Sequence, residues 1–171
     1  MLKEQIRTII TAIETSPQKR AILASLRLSQ DILDPHLTQA YPVIFRYLTS
    51  DQLSTSGKPT YTENAVFTAL KLYAINQSDF DDKNAKPFFK GLNIHRNPSL
   101  DTRFANLQKL TEYASISNTL VNLMHQFKGT KGIDFSQLGQ DVYALQFNYD
   151  SLRQVMLKWA QDYYTSNTNK D

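Results

Sequence analysis

The spacing of apolar residues constrains this chain most, because it follows the helical period through most of the sequence. Near the N-terminus an apolar residue recurs every three or four positions, which places these side chains on one face of a helix. This first stripe consists of Leu2, Ile6, Ile9, Ile10 and Ile13. The alternation of period two that strands require is hard to find, and only five glycines interrupt the pattern. The sequence therefore predicts an all-α protein.

Capping residues indicate where further helices begin. Ser16 followed by Pro17 is the pattern of an N-cap and a first helical residue. Thr60 with Glu63 three positions later forms a capping box, and Val66, Leu70 and Tyr73 follow on one helical face. Asp134 is the expected N-cap of a later helix. These signals predict a series of amphipathic helices with short connections.

Such helices pack into bundles, and the chain is long enough for two small ones. The polar segment "NIHRNP", residues 93–98, offers the best boundary between them. We therefore expect two small helical bundles packed into an elongated protein, with residues 1–94 in the N-terminal bundle and residues 95–171 in the C-terminal one.

The composition excludes several classes of protein. With 41% apolar residues the chain can bury a core, and without cysteine it has no disulfide and no thiolate metal site. The N-terminus "MLKEQIRTII" lacks a signal-peptide pattern, and no apolar run reaches the roughly 20 residues that span a bilayer. We expect a cytoplasmic protein.

No pattern in the sequence favours catalysis. His36, His95 and His125 lie in separate segments, none with a second ligand at metal-binding helical spacing. The segment "KGTKG", residues 128–132, lacks the spacing of a phosphate-binding P-loop and is typical of a helix end followed by a turn. The sequence thus predicts no catalytic residue, no metal site and no cofactor.

The charge distribution leaves a weaker signal. The net charge is +3, while Asp79, Asp81 and Asp82 are concentrated in one predicted loop, so other surfaces are more basic than the average. Several basic residues border apolar stripes, where a long side chain often covers apolar surface while its charge reaches water. These residues are Arg27, Lys71 and Arg153.

Arg103 differs from them because it lies within an apolar stripe. In "SLDTRFANLQKL" it shares a helical face with Leu100, Phe104 and Leu107. A guanidinium on a core face needs a partner. Two alternatives remain open: an internal carboxylate or a phosphate from a bound partner. The candidate carboxylates are Asp101, Glu112 and Asp141.

Five segments, taken in order, resemble the CasB family, the small subunit of the type I-E CRISPR surveillance complex Cascade. They are "RAILASLRLS" (20–29), "YPVIF" (41–45), "DTRFANLQKL" (101–110), "KGIDFSQLGQDVYAL" (131–145) and "VMLKWAQDYY" (155–164). The resemblance extends from about residue 18 to residue 164. Leu28, Thr102 and Gln161 stand where the family often has arginine, so this chain offers fewer cations.

The resemblance implies a non-catalytic, all-α subunit that stabilises the R-loop in antiviral defence. Its implied partners are the Cascade backbone subunits, the large subunit, a second copy of itself head to tail, the guide RNA and the displaced DNA strand. Arg27 and Arg103 match basic positions of the family best, and Arg153 comes next. The other basic residues near the matching segments are Arg20, Lys71, Lys109, Lys128 and Lys131. The alternative is a purely structural spacer without direct nucleic-acid contact.

Overall fold

The computed structural model describes residues 1–77 and 84–165, and these contain nine α-helices and no strand. Three short 3-10 turns and one isolated parallel bridge, between Lys86 and Ile133, complete the regular structure of these ranges. The predicted all-α class is confirmed. The helices are α1 (Leu2–Thr15), α2 (Lys19–Leu28), α3 (Tyr41–Arg46), α4 (Tyr61–Asn76), α5 (Phe88–Leu92), α6 (Pro98–Leu107), α7 (Tyr113–Gln126), α8 (Phe135–Leu145) and α9 (Tyr149–Tyr164).

Two predicted helix starts are confirmed and one is wrong. The Glu63 amide donates to Thr60 Oγ1 at 3.1 Å and Glu63 Oε1 accepts from the Thr60 amide at 2.9 Å, which completes the capping box of α4. Asp134 caps α8 by accepting a hydrogen bond from the Gln137 amide at 3.0 Å. Helix α2 begins at Lys19 rather than at the predicted Pro17, because Ser16 ends α1 in an extended conformation and the chain needs two further residues to turn.

Helix α4 forms the centre of the fold. Val66, Leu70 and Tyr73 are buried as predicted, but so is almost every other residue of this helix. The reason is that α1, α2, α7 and α8 all pack against it. Helix α4 therefore lies within the core and has no wide solvent-facing side.

A second group of helices, α5, α6 and α9, meets around aromatic side chains. The ring of Phe89 lies 5.0 Å from Phe104, 5.1 Å from Trp159 and 6.4 Å from Tyr163. Asp141 of α8 joins this group to the rest, because its Oδ2 accepts a hydrogen bond from Trp159 Nε1 at 3.0 Å. Helix α9 is thereby held between α8 on one side and α5 and α6 on the other.

Helices from both sides of the predicted domain boundary pack together. The boundary falls within the 3-10 turn Asn93–His95, whereas α8 lies against both α1 and α4. The division into residues 1–94 and 95–171 stays a prediction about folding units. The predicted acidic loop with Asp79, Asp81 and Asp82 lies outside the described residues. Over the two described ranges, no helix combines the length and hydropathy that a bilayer crossing requires.

Candidate nucleic-acid interface

The first group of predicted residues lies at the C-terminal end of α4. Arg27 Nη1 donates to the carbonyl of Ala74 at 3.2 Å, in the last turn of that helix. In the same turn the Asn76 carbonyl accepts a hydrogen bond from the Gly129 amide at 2.7 Å, which fixes the loop 128–132 there. That loop carries Lys128 and Lys131, both exposed. We call Arg27, Lys128 and Lys131 the α4-end surface.

Lys71 has a different place from the one predicted for it. Its side chain is buried, with 8% exposed, and Nζ donates to the carbonyl of Ser29 beyond the end of α2. Burial lowers the pKa of Lys71 below its ordinary value, and the charge of Asp34 offsets part of that shift. The hydrogen bond of Lys71 to Ser29 links α4 to the end of α2. Lys71 is the one buried residue among the predicted contact residues, and it therefore contributes no accessible charge in this structure.

The second group lies where α6 meets α9. Arg153 Nη1 donates to the carbonyl of Gln108, just past the end of α6, at 2.6 Å. The Gln108 side chain in turn donates to the Met156 carbonyl of α9 at 2.9 Å. Lys109 follows in the chain and is exposed, and Arg103 lies earlier on α6. We call Arg103, Lys109 and Arg153 the α6–α9 surface. Arg20, on α2, is exposed and belongs to neither group by any described contact.

Arg103 is half-buried, and it makes no hydrogen bond, ion pair or ring contact with another described residue. The candidate carboxylates are engaged elsewhere or out of reach. Asp101 accepts from Arg96 Nε at 3.2 Å, and this hydrogen bond holds the pKa of Asp101 below its usual range. Asp141 accepts a hydrogen bond from Trp159 of α9, and Glu112, at the start of α7, forms no ion pair with Arg103. In the described part of the chain, the internal ion pair is therefore not formed.

Two lysines that the sequence analysis missed extend the α4-end surface. Lys86 and Lys90 line a cavity of about 320 Å³ together with Lys131. The backbone of Lys86 accepts from the Asp134 amide at 2.8 Å, which brings the segment before α5 beside the loop 128–132. The available signal was the two lysines on either side of the apolar Phe88 and Phe89. The break in the helical pattern over this segment concealed it.

Two of the three histidines make structural contacts. His95 stacks on Phe127 with ring centroids 4.7 Å apart, and its Nε2 lies 3.1 Å from Thr130 Oγ1. His36 Nδ1 lies 2.8 Å from Asp34 Oδ1. Within the described ranges, no three histidine, aspartate or glutamate side chains come together as metal ligands.

A family model and three solved structures match this chain. Residues 22–164 match the family model described as CRISPR-associated protein Cse2. The structure of CasB from Thermus thermophilus is similar with a TM-score of 0.71 at 20% identity, over 96% of this chain and 98% of that one. A second Thermus thermophilus structure, of a CRISPR-associated protein of the Cse2 family, has a TM-score of 0.66 at 21% identity, over 96% and 98% of the two chains.

CasB from Thermobifida fusca has a TM-score of 0.65 at 18% identity, over 96% of both chains. At these identities the structural similarity establishes the fold. No curated protein sequence matches the chain.

Proposed function

This chain belongs to the CRISPR-associated Cse2 family, and on that premise we propose that it is the non-catalytic small subunit of a type I-E Cascade complex. In this role it acts in the cytoplasm, binds the backbone of the displaced DNA strand and the guide RNA, and stabilises the R-loop in antiviral defence. Its protein partners are the backbone subunits, the large subunit and a second copy of itself head to tail.

The main observation in support of this proposal is that Arg103 is partly buried without a partner in the described part of the chain. Arg103 is half-buried in an apolar stripe, and its guanidinium has no described partner. A guanidinium presents five N–H donors in a planar fork that matches phosphate oxygens, and partial burial strengthens such a contact by lowering the local dielectric. Lys109, which follows the end of α6, and Arg153, which donates to the Gln108 carbonyl there, supply further cations for successive phosphates.

The α4-end surface supports a second region of contact. Arg27 uses one donor on the Ala74 carbonyl, which leaves its other N–H groups for a ligand. Lys86, Lys90, Lys128 and Lys131 surround the neighbouring cavity and loop. Cations that neutralise phosphates release counterions whatever the base sequence.

This mode of binding suits the proposed task. R-loop formation exchanges one duplex for another of similar stability, and protein contacts to the backbone tip the balance. A rigid scaffold with spaced cations meets that need without a pocket for chemistry and without readout of sequence.

The test compares Arg103→Gln with Arg7→Gln in single-strand binding measured by fluorescence anisotropy at several salt concentrations. Arg7 is a matched control, because its substitution removes the same charge but its Nη1 already pairs with Glu4 at 3.0 Å. We expect Arg103→Gln to lower affinity and to reduce the slope of log affinity against log salt by about 0.7, the value for one single-strand phosphate contact. A wild-type chain without salt-dependent affinity would contradict the proposal.

A structural spacer is the second candidate, and one observation favours it. Arg27, Lys71 and Arg153 each donate to a backbone carbonyl at or just beyond the end of a helix, where cations stabilise the helix itself. On this reading Arg103 pairs with a carboxylate of a neighbouring subunit. Arg103→Glu would then abolish assembly of the reconstituted complex, while the isolated wild-type chain would show no salt-dependent affinity for nucleic acid.

A further inference from the structure

A cavity of about 410 Å³ lies beside the α6–α9 surface. It is enclosed by the start of α4, the connection between α6 and α7, and the turn between α8 and α9. Tyr61 and Tyr149 line it, and they are 45% and 66% exposed. Single exposed apolar residues are common on protein surfaces, but two large exposed aromatic side chains in one cavity indicate a ligand-binding surface.

Neighbouring aromatic rings hold Tyr61, one of the two exposed tyrosines of the lining, in place. The ring of Phe147 meets Tyr61 edge-on with centroids 5.4 Å apart. Tyr143 in turn packs edge-on against Phe147 at 4.9 Å. These contacts fix the orientation of the Tyr61 ring and leave the part that lines the cavity accessible. Tyr61 therefore gives the cavity one preorganised aromatic wall, and Tyr149 adds a second, more exposed ring.

Three basic residues lie on or beside this cavity. Arg153 lies one turn beyond Tyr149 on α9, and its hydrogen bond to the Gln108 carbonyl fixes the guanidinium at the start of the α6–α7 connection. Lys109 belongs to that connection, and Lys58 is the one basic residue of the lining. Glu112 is the one carboxylate of the lining. A ligand with an aromatic ring and a neighbouring negative charge complements this arrangement.

Several amide and hydroxyl groups of the lining are hydrogen-bonded within the protein. Gln146 Oε1 accepts from Asn64 Nδ2 at 3.1 Å, and Asn148 Oδ1 accepts from the Ser151 amide at 2.8 Å. Tyr113 donates its hydroxyl to the Asn64 carbonyl at 3.0 Å. Thr111, Glu112 and the hydroxyls of the two exposed tyrosines make no described side-chain hydrogen bond, so the cavity offers polar contacts beside the stacking surface of its aromatic rings.

We propose that this cavity holds an unstacked base of the single strand whose phosphates contact the α6–α9 surface. The base stacks on Tyr149 and Tyr61, while Arg153 and Lys109 neutralise the flanking phosphates. The inference rests on the proposed function and adds to it a contact with bases, which a purely electrostatic surface does not make. Stacking on aromatic side chains tolerates any base and contributes to affinity independently of salt.

The experiment measures binding of the full chain to two fluorescent single strands of equal length and charge, one with normal bases and one with abasic sites. We expect the wild type to bind the abasic strand at least about 5-fold more weakly, the effect of losing one stacked base. Tyr149→Ala should bind the normal strand about 5-fold more weakly and lose the discrimination. Tyr164→Ala is the matched control, because Tyr164 is 47% exposed at the opposite end of α9, and it should behave as the wild type.

The salt dependence separates the two kinds of contact. Tyr149→Ala should leave the salt slope unchanged, whereas Arg153→Gln should lower it. Equal wild-type affinity for both strands, with Arg103→Gln still defective, would overturn the base contact and leave the proposed function standing. Disrupted assembly in Tyr149→Ala with normal strand binding would identify a protein-docking surface and also overturn it. No binding of either strand would refute the proposed function itself.

Discussion

Gly139 allows helix α8 to approach its neighbours closely, and Gly139→Ala tests this packing. Helix α8 lies against both α1 and α4. A Cβ at position 139 would stand 2.3 Å from Cδ1 of Ile6 and 3.1 Å from Cβ of Ala69. Ile6 is fully buried, so its terminal methyl group has no open space into which it can turn.

Two opposing effects determine the result of Gly139→Ala. Alanine is favoured over glycine inside a helix by about 1 kcal/mol. Overpacking a buried site costs about 1–3 kcal/mol, and this site lies near the upper end because both neighbours are enclosed. We expect the free energy of unfolding to fall by about 1–2 kcal/mol and Tm by roughly 2–8 °C for a chain of this size.

Chemical denaturation followed by fluorescence of Trp159, the single tryptophan, measures this change. Ile6→Val is the matched second substitution, because it removes only the clashing Cδ1. Alone it should cost about 0.5–1.5 kcal/mol, but in the Gly139→Ala background it should restore stability. If Gly139→Ala raises stability, or if the two changes are additive, the close approach of α8 to α1 is incorrect.

Two further substitutions test polar groups in the core. Asp141→Asn should lower the free energy of unfolding by about 2 kcal/mol and shift Trp159 emission. The buried carboxylate accepts three hydrogen bonds through its two oxygens, whereas an amide has one acceptor oxygen and a donor NH₂ group. Unchanged denaturation and emission would refute this. Lys71→Met should leave oligonucleotide affinity unchanged, since the ammonium group is buried against Ser29, and weaker binding at equal stability would refute this. Burial lowers the pKa of Lys71 in the folded state, so just below the ordinary lysine pKa the unfolded chain binds more protons than the folded chain. In that pH range the free energy of unfolding of the wild type should therefore rise with pH relative to that of Lys71→Met.

The helices with one apolar face were predictable, and the central helix was predictable only in part. The stripe from Leu2 to Ile13 is fully buried in α1, as periodicity requires for a helix packed on one side. Helix α4 has neighbours on nearly all sides, so its buried set includes Thr68 and Lys71, which no apolar pattern marks. Periodicity records which residues are apolar, whereas burial in a central helix depends on how many other helices surround it.

The basic residues of the two surfaces could likewise be identified from the sequence only in part. Arg103 was recognisable from the sequence because it breaks a single helical stripe. Lys86 and Lys90 were not, because they join Lys131 only through backbone hydrogen bonds between segments far apart in the chain. Their place depends on tertiary pairing, which local spacing does not encode.

Helix carbonyls and phosphates accept from the same donors, so the structural and nucleic-acid-binding roles of an arginine are compatible. A guanidinium that uses one N–H on a carbonyl, as Arg27 does on Ala74 and Arg153 on Gln108, is held in a fixed orientation with its other donors free. Substituting either residue removes a capping contact together with any phosphate contact, and a loss of affinity would reflect both. Arg103 has no described contact to lose, so a fall in affinity at unchanged stability in Arg103→Gln reports the phosphate contact alone.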